Sequence, residues 1–118
     1  MSRTILVVDD SMVSRIMLKT IIESNIPDAI IIEANSGEQA LNQLDEDVRV
    51  DIALIDFNMP GMDGLELINQ LKNRVNIPKR ALLTANIQDE IRDKTTRAGV
   101  TFLNKPIVED VVVGFLNN

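Results

Sequence analysis

Short apolar runs alternate with amphipathic stretches along the whole chain. The runs are rich in valine, isoleucine and leucine, a composition typical of parallel strands that are buried on both faces. This pattern predicts strands over residues 4–8, 29–34, 50–55, 80–83 and 100–103.

Apolar residues at helical spacing follow each predicted strand and indicate five helices. The first should end near Pro27, and Ser36 with Gln39 should cap the second as a capping box. Asp63 should begin the third helix, and the fourth, over residues 88–98, should be exposed over most of its surface. Apolar residues recur at helical spacing in the first helix (Val13, Ile16, Met17 and Ile21), give the second its apolar face (Ala40, Leu41 and Leu44) and form a stripe along the last (Val108, Val111, Val112, Phe115 and Leu116). In the third helix, Leu67, Ile68, Leu71 and Val75 should face inward.

Five strands that alternate with five helices are typical of an open doubly wound α/β domain, in which helices cover both faces of a parallel sheet. We therefore predict that residues 1–118 form a single domain of this class. Binding sites in such folds lie beyond the carboxyl ends of the strands, at a switch in strand order. Chemistry is therefore expected at that edge of the sheet.

Composition excludes several kinds of site. The net charge of −6 argues against a nucleic-acid-binding surface, because few phosphates could be neutralised. The chain contains no histidine and no cysteine, which excludes imidazole bases, histidine metal ligands, thiol chemistry and disulfides. It shows neither a signal peptide nor an apolar run of the roughly 18 residues that a membrane span needs. We expect a cytoplasmic location and no membrane partner.

Polar residues follow four of the five predicted strands. Asp9 and Asp10 come after the first, Asp56 after the third, Thr84 after the fourth and Lys105 after the fifth. Each one alone fits a turn, a cap or a solvated side chain, but a parallel sheet brings all of them to one edge. Crowded carboxylates and all-oxygen ligands suit Mg²⁺ or Mn²⁺. With a lysine and a hydroxyl nearby, the set fits phosphoryl transfer to an aspartate nucleophile, and Asp56 is the best candidate.

These residues stand in motifs that match a known family. They are Val7-Val8-Asp9-Asp10-Ser11, Asp56-Phe57-Asn58-Met59-Pro60-Gly61-Met62-Asp63-Gly64, Thr84-Ala85 and Lys105-Pro106. In this order and at these spacings, the chain resembles the receiver domains of two-component response regulators, the CheY-like proteins. The resemblance implies a flavodoxin-like sheet with strand order 2-1-3-4-5.

The resemblance also implies roles for the acidic residues. Asp56 would accept a phosphoryl group from a histidine kinase or a histidine phosphotransfer protein. Asp10 and Asp56 would bind Mg²⁺ directly, the backbone carbonyl of Asn58 would complete the protein ligands, and Asp9 would act through water. Asn58 and Asn86 occupy positions that influence how long the phosphoryl group survives in the family.

The remaining implied roles concern the switch. Thr84 and Lys105 would contact the phosphoryl oxygens, Thr84 would move toward them, and Phe102, three positions before the lysine, would turn inward. Phe102 has no hydroxyl to offer a partner, unlike the tyrosine of some members. The output face would be the fourth helix, the fifth strand and the last helix, residues 87–116. A downstream protein or a fused output domain would read it, and a phosphorylation-dependent homodimer is compatible with it.

The leading hypothesis is a phosphorylation-controlled signalling switch rather than a multiple-turnover enzyme. The alternative is a Mg²⁺-dependent aspartyl-phosphate phosphatase of the haloacid dehalogenase kind. That class normally has a second aspartate where this chain has Asn58, and 118 residues leave little room for a substrate cap. A flavin carrier fits the fold class, but the chain has few aromatic residues and no phosphate-binding loop. For Phe102, the alternative to a switch role is that of an ordinary core residue on the fifth strand.

Overall fold

One parallel sheet organises the chain, and its strands stand in the order 2-1-3-4-5. The computed structural model describes residues 2–45, 47–85 and 88–117, and within them five strands alternate with five helices. The strands are β1 (Thr4–Val8), β2 (Ile30–Ala34), β3 (Ile52–Asp56), β4 (Lys79–Thr84) and β5 (Thr101–Asn104). The helices are α1 (Met12–Asn25), α2 (Gly37–Gln43), α3 (Gly64–Leu71), α4 (Asp89–Arg97) and α5 (Glu109–Asn117). The predicted fold class and strand order are confirmed, with strand ends shifted by one or two residues.

The core lies in two layers, one on each face of the sheet. Because successive side chains of a strand point to opposite faces, Leu6 packs toward α2 and α3 while Val7 packs toward α1 and α5. The central strand β3 is buried over its whole length, and its last residue is Asp56. Burial on both faces explains the nearly continuous apolar runs in the sequence.

Three of the four apolar residues that recur at helical spacing in α1 do not face the sheet. Ile21 is buried, but the side chains that bury with it are Leu18 and Ile22. The exposed apolar residues of α1, with their exposed fractions, are Met12 (65%), Val13 (67%), Ile16 (53%) and Met17 (43%). Val108 and Val111 are also exposed, since Val108 precedes α5 and Val111 lies on its outer side. Helical spacing predicts that a helix has apolar stripes, but it does not predict which stripe packs against the sheet.

The helix α4 is the polar helix that the sequence predicts. Its first turn is acidic and its last turn is basic, which suits the helix dipole. Thr95 is buried and donates its hydroxyl to the Ile91 carbonyl oxygen at 2.8 Å. Gln88 occupies the N-cap position without a side-chain cap hydrogen bond. The predictions that concern Asn86 and Ile87 fall outside the described residues.

Side-chain caps fix the start of α1, α2 and α3 near the predicted points. Ser11 accepts a hydrogen bond from the Ser14 amide at 3.3 Å, and Ser36 accepts one from the Gln39 amide at 3.1 Å. The reciprocal bond of the predicted capping box differs, because Gln39 Oε1 accepts the amide of Asn35 rather than that of Ser36. None of the helices in the described part of the chain is long and apolar enough to cross a bilayer.

Candidate functional site

The polar residues that end or follow the strands lie together at the carboxyl edge of the sheet. Val8 is in register with Ile55, so Asp9 and Asp56 come next on adjacent strands. Thr84 ends β4, and its carbonyl oxygen accepts the Lys105 amide at 3.0 Å, which ties the start of the next loop to β4. Parallel pairing alone therefore brings residues from four regions of the chain to one edge.

Three carboxylates converge there. Asp9, Asp10 and Asp56 each place an oxygen within 4.8 Å of the others. Asp9 and Asp56 are buried, at 1% and 4% exposure, whereas Asp10 is exposed. The Asp9 side chain accepts a hydrogen bond from the Ser11 amide at 2.9 Å. The backbone carbonyl oxygen of Asp9 accepts one from Nη1–H of Arg15 at 2.7 Å. Sequence reasoning missed Arg15, because a basic residue on a helix carries no sign of the carbonyl it reaches.

Lys105 bridges the two buried acids. Its Nζ lies 3.0 Å from Asp9 Oδ2 and 3.1 Å from Asp56 Oδ1. Burial by itself would lower the pKa of Lys105, but the hydrogen bond with Asp9 and the charge of Asp56 outweigh it, so the pKa is raised. The ammonium is therefore a firmly charged group, paired with both carboxylates.

One lysine does not compensate the acidic cluster. The pKa of Asp56 is raised from its ordinary 3.8 to about 6, first by burial and then by the charge of Asp9. Lys105 opposes this rise, and the charge of Asp10 adds a smaller contribution to it. The carboxylate of Asp56 thus sits where further positive charge would be favourable.

The donor set fits a hard divalent cation. Carboxylate oxygens from a small number of residues, one of them open to solvent, suit Mg²⁺ and, less selectively, Mn²⁺. The raised pKa of Asp56 follows from the same deficit of positive charge, since the charges of Asp9 and Asp10 contribute to it. The three acids thus fit a divalent cation, and the metal site itself stays a prediction.

Thr84 and Asn58 meet at the same edge. Thr84 is fully buried, and its Oγ1 accepts Nδ2–H of Asn58 at 3.2 Å. The family resemblance implied a role for the backbone carbonyl of Asn58, but not this contact of its side chain. The two residues are 26 positions apart, so the contact becomes visible only when β3 and β4 are paired.

The loop after Asp56 is shaped by two glycines. Gly61 has a positive φ of 77°, which favours glycine, and the Gly64 amide donates to the Phe57 carbonyl oxygen at 3.0 Å. A Cβ on Gly64 would overlap the Asp56 carbonyl oxygen and lie 2.7 Å from Leu82 Cδ1. This close approach presses the start of α3 against the end of β3 and fixes the backbone of the site.

Phe102 lies outside the acidic cluster. It is half-buried on β5, and the guanidinium carbon of Arg92 lies 5.6 Å from the centroid of its ring. The structure therefore places this predicted switch residue against α4.

Comparison with known proteins gives a consistent result. The model of the response regulator receiver domain family matches residues 5–117. Chemotaxis protein CheY of Listeria monocytogenes is 33% identical over 110 residues, which are 92% of this chain and 91% of that protein. The crystallised chemotaxis protein CheY4 of Vibrio cholerae superposes with a TM-score of 0.84 at 24% identity, covering 99% of this chain and 98% of that one.

Several relatives are much longer than this chain. The cyclic di-GMP phosphodiesterase response regulator RpfG of Xanthomonas campestris is 40% identical over 108 residues, which are 87% of this chain and 28% of RpfG. Two further relatives are matched over 38% and 43% of their lengths. The common part is thus the domain described here.

Proposed function

The chain belongs to the response regulator receiver domain family, and on that premise we propose that residues 1–118 form a phosphorylation-controlled switch whose phosphoryl acceptor is Asp56. The observation that carries the proposal is the setting of this carboxylate. It is buried, its pKa is raised, and it lies beside a lysine and two further acids at one edge of the sheet.

The chemistry is a displacement at phosphorus. A carboxylate oxygen of Asp56 forms a bond to the phosphorus of a phosphohistidine, the P–N bond breaks, and its electron pair stays on the departing imidazole. Since the pKa of Asp56 is about 6, most of the carboxyl is ionised at neutral pH, and no base has to remove a proton. The donor is a histidine kinase or a histidine phosphotransfer protein.

The other residues of the site stabilise the charge that builds up on the transferring group. Asp10 and Asp56 would hold Mg²⁺ directly, with the backbone carbonyl of Asn58 and with Asp9 through water. When bound, the metal supplies charge compensation for the carboxylates and the phosphoryl oxygens. Lys105 and Thr84 donate hydrogen bonds to those oxygens, and Lys105 exchanges its present carboxylate partners for them.

The exposed apolar face of α1 supports a docking site for the phosphodonor protein. This face comprises Met12, Val13, Ile16 and Met17. The helix begins two residues after Asp10, so a protein that binds its first turns is positioned beside the acceptor. Large apolar side chains exposed side by side mark interaction surfaces more often than chance.

The output is read on the face formed by α4, β5 and α5, where Phe102 reports the state of the site. The partner is a downstream protein or a fused output domain, and the longer relatives support the latter. A phosphorylation-dependent homodimer through this face is part of the proposal, and direct nucleic-acid binding is not, given the net charge of −6. A cytoplasmic location accords with a chain that has no cysteine.

We do not propose a multiple-turnover phosphatase. In that chemistry a second carboxyl group two positions after the nucleophile acts as acid and base, and Asn58 cannot titrate. Its amide instead contacts Thr84. Phosphorylation and dephosphorylation of Asp56 itself are the reactions expected.

Labelling with a small phosphodonor tests the acceptor. Wild type with Mg²⁺ and acetyl phosphate should gain one phosphoryl group by intact mass, and Asp56→Asn should gain none. Asp51→Asn is the matched control, because Asp51 directly precedes β3, at the end opposite Asp56, and its side chain accepts a hydrogen bond from the Thr4 amide. Equal labelling of wild type and Asp56→Asn contradicts the proposal, and continuous phosphate release from p-nitrophenyl phosphate would favour the phosphatase.

A second comparison tests the docking face. Ile16→Ser should slow transfer from a phosphorylated histidine phosphotransfer domain that labels wild type, but leave labelling by acetyl phosphate unchanged. Ile30→Ser is the control, since Ile30 is 55% exposed at the amino end of β2, away from the site. Equal transfer to both variants would place the docking face elsewhere.

A further inference from the structure

A cation–π contact joins α4 to β5. The guanidinium carbon of Arg92 lies 5.6 Å from the centroid of the Phe102 ring, within the range at which the attraction acts. Arg92 is exposed and Phe102 is half-buried, so the contact lies at the surface, with the guanidinium over the ring.

Strand register relates this ring to the acidic site. Leu82 is in register with Phe102, and Thr84 is in register with Asn104. Because side chains alternate between faces, Thr84 and Phe102 point to the same face of the sheet, one strand and two residues apart. Thr84 is fully buried, and in a close-packed interior its displacement changes the space open to neighbouring side chains.

We propose that Arg92 is a positioning residue for the switch, which holds the Phe102 ring in its half-buried position and thereby opposes movement of Thr84 toward a phosphoryl group on Asp56. The inference rests on the proposed function, because it needs a second state in which the ring has moved. A contact made in one of two states favours that state by the free energy of the contact. Loss of the guanidinium should therefore favour the phosphorylated conformation.

Mg²⁺ with beryllofluoride, a tetrahedral fluoride that mimics a phosphoryl group on a carboxylate, provides the test. Arg92→Gln should bind beryllofluoride roughly two- to five-fold more tightly than wild type, as expected for an exposed cation–π pair. The Phe102 ring resonances of the free variant should also shift toward their beryllofluoride-bound positions. Arg92→Lys keeps a cation and should restore most of the wild-type affinity.

Two controls separate this role from general loss of charge or packing. Arg97→Gln removes an exposed cation of the same helix, and Lys79→Gln removes the cation that lies 5.0 Å from the centroid of the Phe115 ring. Neither variant should alter beryllofluoride affinity. In a Phe102→Leu background, Arg92→Gln should have no further effect, which a double-mutant cycle measures.

An unchanged or weaker beryllofluoride affinity in Arg92→Gln overturns the inference, whatever happens to the free energy of unfolding. A persistent effect of Arg92→Gln in the Phe102→Leu background overturns it as well, since Arg92 would then act through another group. Wild type that fails to bind beryllofluoride, or that binds it as well as Asp56→Ala does, instead overturns the proposed function on which the inference rests.

Discussion

Replacing Asp56 with asparagine should stabilise the metal-free protein at neutral pH. The substitution keeps the size and shape of the side chain but removes the charge from a nearly buried position. The pKa of Asp56 is raised from 3.8 to about 6, mainly by burial and then by the charge of Asp9. The folded state therefore binds the Asp56 proton more tightly than the unfolded chain does.

The magnitude follows from this shift. A raised carboxyl pKa means that the folded metal-free protein loses stability as the pH rises from about 4 to about 6, and the full loss persists above that range. A shift of about 2 pKa units corresponds to about 3 kcal/mol. We expect Asp56→Asn to be more stable than wild type by about 1–3 kcal/mol above pH 7, and the two proteins to converge near pH 4.

Urea unfolding in the presence of a chelator measures this difference. Far-ultraviolet circular dichroism is the suitable probe, because the chain has no tryptophan or tyrosine. Asp51→Asn is a control with the opposite sign, since a backbone hydrogen bond from Thr4 lowers the pKa of Asp51. The hydrogen bond from Thr4 stabilises the folded protein at pH values above the ordinary carboxyl pKa, and this stabilisation is lost as the pH falls through the lowered pKa of Asp51. The Asp51→Asn variant should therefore be less stable than wild type at neutral pH.

The reasoning would be refuted by a wild type that equals or exceeds Asp56→Asn in stability at neutral pH. A gap between the two proteins that stays constant from about pH 4 to about pH 7 would also refute it, because a titrating charge must produce a pH-dependent difference. Added Mg²⁺ should close the gap, since it stabilises wild type by compensating the charge of Asp56.

Three further predictions concern the metal site and the fold, and two of them include a control substitution. Asp10→Ala should lose most of the Mg²⁺-dependent rise in Tm that Thr84→Ala keeps, and equal rises would place the metal elsewhere. Gly64→Ala should lower the free energy of unfolding by about 2–4 kcal/mol, because its Cβ overlaps the end of β3. Gly114→Ala is its control: open space surrounds that position inside α5, so urea unfolding should show a gain of up to about 1 kcal/mol. Gln88→Asp should add about 0.5–1 kcal/mol by supplying the missing N-cap bond of α4, and an unchanged urea midpoint would count against that cap.

The fold could be predicted from the sequence because its main signals are local. Each strand is a short apolar run, and Ser11, Ser36 and Asp63 mark helix starts that the structure confirms. The strand order needed the family resemblance, since apolar runs do not state which strands are neighbours. The orientation of α1 could not be obtained from spacing, because that helix has apolar side chains both toward the sheet and toward solvent.

The residues that meet at the carboxyl edge of the sheet could also be predicted from the sequence, because parallel pairing carries strand-end residues to a common edge. The contacts among these residues could not be predicted. The bridge from Lys105 to both Asp9 and Asp56, and the bond from Asn58 to Thr84, depend on side-chain geometry between distant segments. The Arg92–Phe102 contact is hidden for the same reason. Sequence patterns identify which residue types lie at one edge, whereas the side-chain contacts that each residue makes depend on the folded structure.

The Lys105 bridge makes the acidic edge resemble an ion exchanger that is supplied with its own cation. The ammonium is attached to the chain, so its local concentration near Asp9 and Asp56 is fixed and does not depend on the solution. On the proposed function, loading of the site with Mg²⁺ is an exchange for this ammonium rather than a simple addition, and the same displacement frees the ammonium for the phosphoryl group. Responsiveness to a phosphoryl group and affinity for a divalent cation would then be coupled through the Lys105 side chain, so a shorter or longer side chain at this position should alter both together.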